Sequence, residues 1–108
     1  MEIVEFQDVA GHSPFAEWFD DLDVHAARKV TAALTRIALG NLGVTKSVGG
    51  GILECKIDFG PVYRLYFGRD GEQLVILLAG GTKRRQKDDI VVAQARWADY
   101  ERRRKGAR

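Results

Sequence analysis

The fold of this chain is decided by residues Gly51–Ile90, which read GILECKIDFGPVYRLYFGRDGEQLVILLAGGTKRRQKDDI. Apolar and charged residues alternate in the first part of this stretch, as in a half-buried strand. The apolar face holds Leu53, Cys55, Ile57 and Phe59, and the opposite face holds Glu54, Lys56 and Asp58. The alternation therefore predicts a strand with one face on a core and a charged, solvated face.

A turn signal at Gly60–Pro61 separates this strand from a second alternating one. Its apolar set is Tyr63, Leu65 and Phe67, and its opposite set is Val62, Arg64 and Tyr66. A tight hairpin aligns the two polar faces, since a slip of one residue would set apolar against polar side chains along the whole ladder. The predicted cross-strand pairs are Asp58 with Val62, Lys56 with Arg64, and Glu54 with Tyr66.

The predicted pair of Lys56 and Arg64 sets two cations directly opposite each other. Like charges in that position destabilise a sheet, so the pair indicates that an anion binds between them. The alternative is that Glu54 and Asp58, diagonal on the same face, neutralise the two cations. Both interpretations stay open at this point.

Composition is that of one soluble globular domain spanning residues 1–108, with 45% hydrophobic and 30% charged residues. No apolar run approaches the roughly 18 residues of a membrane span, and no basic-then-apolar leader opens the chain, so we expect no membrane association and a cytoplasmic location. Cys55 has no partner for an internal disulfide and lies on the apolar face, which favours a core role.

The net charge of +2 conceals an asymmetry between the two halves of the chain. Residues 1–54 hold four Lys or Arg against eight Asp or Glu, whereas residues 55–108 hold thirteen against seven. One basic cluster follows the apolar strand, and we call Arg84, Arg85 and Lys87 the basic turn, with Lys83 just before it. A second cluster, over about residues 102–108, is typical of a solvated tail and alternatively of a nucleic-acid or acidic-partner contact.

The remaining elements complete the predicted order β-α-α-β-β-β-α. A short strand is expected within Glu2–Gln7, and a first helix after the Ser13–Pro14 cap signal. A second helix is expected from about Asp23 to Gly40, followed by a glycine-rich loop over Asn41–Gly51. The apolar run Gln73–Ala79 predicts a strand covered on both faces, and the last helix is expected over about Arg85–Arg103.

Recognised catalytic motifs are missing from the sequence. It contains no metal-ligand spacing, phosphate-binding loop or cysteine pair, so we expect neither a metal nor a cofactor. His12 and His25 lie far along the chain from the cationic hairpin, which disfavours a mechanism based on two histidines.

The string G-x-x-E-x-K-x-x-x-G-P-x-Y-R-x-Y-F, followed by the apolar strand and G-G-T-K-R-R-Q-K-D-D-I, resembles the RelE/ParE superfamily of toxins, in particular its phage-type addiction-module killer branch close to HigB. The likeness covers nearly the whole chain. It implies an α+β fold with two N-terminal helices packed on a twisted antiparallel sheet and a C-terminal helix. It also implies the toxin of a type II toxin–antitoxin pair, usually an endoribonuclease that cuts mRNA on the ribosome.

The resemblance also implies a set of site residues. Arg64 matches the family arginine that stabilises the cleaved phosphate, Lys56 matches a basic position that is often arginine, and Lys83 matches the basic residue after the central strand. Tyr66 is expected to stack on a base or to support the site, or alternatively only to pack against its neighbours on the sheet. The basic turn, together with Gln86, is expected to contact RNA, the alternative being that its cations are solvated at the start of a helix. Val62 replaces a glycine that is common in relatives, and the acid–base histidine or tyrosine of other members has no counterpart here.

The implied partners are mRNA on the ribosome and a cognate antitoxin, a helix-turn-helix protein from the adjacent gene. Two other functions fit the same fold. A ParE-like protein would poison DNA gyrase without cutting RNA, although retention of Lys56, Arg64 and Lys83 favours the nuclease. A noncatalytic module would only bind nucleic acid or antitoxin through its basic surface.

Overall fold

The computed structural model describes residues 1–106. In chain order its elements are β1 (Glu2–Glu5), α1 (Pro14–Asp20), α2 (Val24–Ala38), β2 (Thr45–Ser47), β3 (Leu53–Ile57), β4 (Tyr63–Asp70), β5 (Leu74–Thr82), a 3-10 turn (Lys83–Arg85) and α3 (Gln86–Gly106). The five strands form one sheet in the order β1-β5-β4-β3-β2. The predicted α+β class is confirmed, with the difference that β1 runs parallel to β5 while the other pairs are antiparallel.

The two N-terminal helices begin and end where the sequence signals place them. The Ser13 hydroxyl accepts a hydrogen bond from the backbone N–H of Ala16, and Pro14 occupies the first helical position of α1. Asp23 caps α2 in the same way, and Gly40 follows the end of α2 with a φ of 86°. These caps satisfy backbone groups that the helices leave unpaired at their ends.

One face of the sheet carries the core predicted from the apolar alternation. Helices α1 and α2 cover this face. Its buried side chains come from both helices and from β3, β4 and β5, namely Phe15, Val30, Ala33, Ile37, Cys55, Ile57, Leu65, Phe67, Val75 and Leu77. Cys55 therefore has the core role that its position in the alternation predicts.

The opposite face was predicted to be solvated, and this prediction is wrong over much of its area. Helix α3 packs on it and builds a second core around Trp97, with Ile52, Tyr66, Ile76 and Leu78 buried beneath. The Trp97 ring lies directly against Gly68, where a Cβ atom would collide with it. The apolar strand β5 is thus covered on both faces, as its composition predicts.

A β-bulge in β5 sets which residues flank Arg64. The pairing of β4 with β5 shifts between Tyr66 and Phe67, so that Leu78 is an extra residue in β5. Its backbone carbonyl accepts a hydrogen bond of 2.6 Å from Nη1 of Arg96 on α3. Beyond the bulge, Gly81 pairs with Arg64. The irregularity is therefore held by α3 and fixes the neighbourhood of Arg64.

Two other segments differ from their predictions. The predicted loop Asn41–Gly51 contains β2, which pairs with β3. The predicted tail is helical as far as Gly106, and two of its arginines contact the rest of the domain. Arg103 Nη2 donates a hydrogen bond of 2.7 Å to the Gln7 carbonyl, and Arg104 Nε lies 3.4 Å from Asp70 Oδ2. Arg108 lies outside the described residues. None of the helices within residues 1–106 combines the length and apolar character needed to cross a bilayer.

Candidate active site

The cationic pair at the centre of the hairpin is confirmed. In the β3–β4 ladder Lys56 lies opposite Arg64, and Glu54 lies opposite Tyr66. Side chains directly opposite in an antiparallel pair are within about 4.5–5.5 Å at Cβ. The alternating pattern and the short loop between the strands were therefore sufficient to give the register.

The carboxylate of Glu54 is buried next to this pair, with only 2% of the residue exposed. It contacts side chains from three other elements. Oε2 accepts a hydrogen bond of 2.8 Å from Nε2 of Gln86 at the start of α3, while Oε1 lies 3.8 Å from Arg64 Nε and 3.8 Å from Lys46 Nζ on β2. We call these four residues the Glu54 network. Of the two predicted neutralising acids, Glu54 pairs with Arg64, and Asp58 forms no ion pair within residues 1–106.

The Arg64 side chain lies almost entirely inside this network, with 7% of the residue exposed. Its Nη1 donates a hydrogen bond of 3.3 Å to the backbone carbonyl of Val62, and its buried Nε has no hydrogen-bond partner within residues 1–106. Val62 itself has a φ of 62°, a left-handed conformation that β-branched residues rarely adopt. The strained turn therefore supplies the carbonyl that holds one end of the guanidinium.

Tyr66 is fully buried under α3, so the prediction that its ring stacks on a base is wrong. Its hydroxyl is buried without a hydrogen-bond partner among residues 1–106. Burial, together with the nearby carboxylate of Glu54, raises the pKa of Tyr66 above its ordinary range. A supporting role for Tyr66 beneath the site stays a prediction.

Lys56 is exposed at the margin of the hairpin. It borders a cleft of about 330 Å³ between β3 and α2, which Lys29, Arg36 and Asp58 also line. Lys46 is another exposed cation of the same edge, with 69% of its side chain accessible. Lys46 was missed from the sequence because β2 is too short to show an alternating pattern.

Lys83 and the basic turn line a second cleft, of about 420 Å³, formed by residues 83–88. All four of these cations are exposed. Gln86, predicted to contact RNA, belongs to the same segment, but its side-chain amide is already engaged with Glu54. The Gln86 side chain therefore makes a contact inside the protein, which connects the basic turn to the hairpin.

A further carboxylate, in the first turn of α3, lies beside the site. Asp89 packs over Gly81, the strand partner of Arg64, in space that a Cβ atom at Gly81 would fill. Burial raises the pKa of Asp89, while the nearby Arg85 opposes this shift. The Gly80–Gly81 pair was the available signal, since glycine in a strand often marks a close approach of another group.

Comparison with known proteins identifies the family of this chain. Residues 17–98, which include the Glu54 network and the basic turn, match the family of phage-derived Gp49-like proteins. An uncharacterised protein of Haemophilus influenzae is 42% identical over 81 residues, covering 74% of this chain and 82% of that protein. The chain therefore belongs to the phage-derived Gp49-like family, a family of toxin–antitoxin toxins of RelE-like type.

Proposed function

We propose that this protein is an endoribonuclease toxin of a type II toxin–antitoxin system, close to the HigB branch, that cleaves mRNA on the ribosome without a metal ion. The observation that supports this best is the cross-strand pair of Lys56 and Arg64. The Gln86–Glu54 hydrogen bond joins that pair to the exposed cations of residues 83–87. Such a surface suits a chain of phosphates.

In the proposed reaction the RNA 2′-oxygen attacks the adjacent phosphorus and the 5′-oxygen leaves. The products are a 2′,3′-cyclic phosphate and a 5′-hydroxyl end. Negative charge grows on the non-bridging oxygens in the transition state, so preorganised cations are the main requirement. Arg64 provides this charge, because a guanidinium has five N–H donors and only one of them is used in the bond to Val62.

Proton transfer is assigned to Lys56 and Lys83. One lysine removes the proton of the 2′-hydroxyl as the general base, and the other protonates the leaving 5′-oxygen as the general acid. The two assignments are interchangeable in this scheme. Both side chains are exposed and free to approach the substrate, unlike the buried Glu54.

The test is incubation of the purified protein with translating ribosomes, followed by mapping of mRNA ends. We expect new 5′-hydroxyl ends with the wild type, and a rate reduced about a hundredfold or more in Arg64→Lys, which keeps the charge but loses the planar fork. Arg69→Lys is the matched control on the same strand, since Arg69 bonds to the carbonyl of Glu72, away from the site. Intact mRNA with inhibited gyrase would instead indicate a ParE-like activity, and binding without either effect a noncatalytic module.

The proposed protein partner is a cognate antitoxin from the adjacent gene, a helix-turn-helix protein. Membership of a toxin–antitoxin family supports this proposal. Co-expression of the neighbouring small protein should relieve growth inhibition, and the two proteins should copurify. Absence of both rescue and copurification would contradict the partner assignment.

A further inference from the structure

Glu54 places a buried carboxylate beside Arg64, the proposed phosphate-binding residue. A carboxylate beside an anion-binding site repels the substrate, and burying a charge is unfavourable unless it is paired and hydrogen-bonded. Only 2% of Glu54 is nevertheless exposed, so its carboxylate is buried. Both carboxylate oxygens are already engaged within residues 1–106, Oε2 by Gln86 and Oε1 by Arg64 and Lys46, which leaves neither oxygen to act on RNA as a general base.

The contacts of Glu54 instead point to Arg64. The hydrogen bond from Gln86 fixes one carboxylate oxygen, and this leaves the other oxygen facing Arg64 Nε and Lys46 Nζ at 3.8 Å each. The Val62 carbonyl holds the far end of the same guanidinium. Arg64 is thus held from two sides, by a carboxylate tethered to α3 and by a carbonyl of the strained turn.

We propose that Glu54 is a positioning residue, which holds the Arg64 guanidinium in the orientation needed to bind the scissile phosphate. Gln86 aligns Glu54 for this purpose and so couples the start of α3 to the hairpin. Removing the negative charge has two opposite consequences. RNA binds as tightly or more tightly, because a repulsive charge is lost, whereas turnover slows because Arg64 is no longer held in place.

The first measurement does not depend on RNA cleavage. In uniformly ¹⁵N-labelled protein the Arg64 Nε–Hε resonance is assigned by its loss in Arg64→Lys. We expect this proton to exchange slowly with water in the wild type and at least about tenfold faster in Glu54→Gln, since burial beside the Glu54 carboxylate keeps the group away from solvent. Gln86→Ala keeps the carboxylate but removes its tether, and it should also speed the exchange of this proton. Glu72→Gln, an exposed glutamate in the turn after β4, is the control and should leave it unchanged.

The second measurement is steady-state cleavage of mRNA on ribosomes, at a temperature where every variant is folded. This part rests on the proposed function. Because a misplacement of about 1 Å can cost roughly a hundredfold in rate, we expect kcat of Glu54→Gln to fall about 10- to 100-fold with KM unchanged or lower. A merely structural Glu54 would lower the melting temperature and leave kcat per folded molecule unchanged.

The outcomes separate the two proposals. An Arg64 Nε proton that exchanges at the wild-type rate in both Glu54→Gln and Gln86→Ala overturns the positioning role. If the wild type cleaves RNA, an unchanged kcat in Glu54→Gln overturns it as well. If exchange is faster in both variants while the wild type cleaves no RNA, Glu54 does hold the Arg64 guanidinium, but the nuclease function, and with it the purpose of that contact, is refuted.

Discussion

Arg64→Ala should lower the free energy of unfolding, because it leaves the buried charge of Glu54 without its arginine partner. Breaking a buried ion pair by removing one partner costs about 3–5 kcal/mol when the remaining charge is left alone. Here Glu54 keeps the hydrogen bond from Gln86 and the ion pair with Lys46. We therefore expect Arg64→Ala to lower the free energy of unfolding by about 2–3 kcal/mol, out of a total of about 5–15 kcal/mol for a typical domain.

The expected loss corresponds to a fall in melting temperature of roughly 10–20 °C, at about 4–8 °C per kcal/mol for a small domain. Urea unfolding followed by circular dichroism measures it directly. The double variant Glu54→Gln/Arg64→Ala removes the stranded charge as well, and we expect it to be at least about 1 kcal/mol more stable than Arg64→Ala alone.

The double-mutant cycle also provides the refutation. Effects of the two single substitutions that add within about 0.5 kcal/mol would mean that Glu54 and Arg64 do not interact, and the Glu54 network would lose its energetic basis. The result matters for toxicity assays, because loss of toxicity in Arg64→Ala would mix lost chemistry with partial unfolding. The double variant is the better inactive control.

Three further outcomes are expected. Gly68→Ala should cost about 1–3 kcal/mol of unfolding free energy, because the added methyl group would displace the Trp97 ring. The control Gly43→Ala, in an exposed loop, should change it by no more than about 0.5 kcal/mol. Equal effects of the two substitutions in urea unfolding would contradict the packing of α3. Replacing all three residues of the basic turn by glutamine should reduce the slope of log K against log salt for RNA binding by about 2, with the single-turnover rate at saturation largely retained. An unchanged slope would mean that these cations are only solvated. Burial and the hydrogen bond to Asp70 raise the pKa of Tyr100 to about 12, so its contribution to stability should be complete below about pH 10 and disappear as the pH rises through about 12. Its phenolate absorbance, identified by difference from Tyr100→Phe, should not appear near pH 10 while the protein is folded.

The parts of the fold that depend on neighbouring residues were predictable. Ser13 and Asp23 cap helices through bonds to backbone groups two or three residues away, and Gly40 ends α2 because its own conformation is left-handed. The hairpin register follows from alternation and a short loop, so the Lys56–Arg64 pair was predictable as well. In each case the deciding interaction spans only a few residues along the chain.

The sequence by itself therefore determined the hairpin, its cationic pair, the caps and the α+β class. Only the tertiary structure decided that α3 covers the face bearing Arg64 and Tyr66, that a short strand brings Lys46 to Glu54, and that Gln86 engages the same carboxylate. The bond from Gln86 to Glu54 joins residues 32 positions apart. An alternating pattern shows that a face is polar, but it carries no information on which distant helix packs against that face. The burial of the site, and with it the role of Glu54, is consequently a property of the assembled sheet and helix.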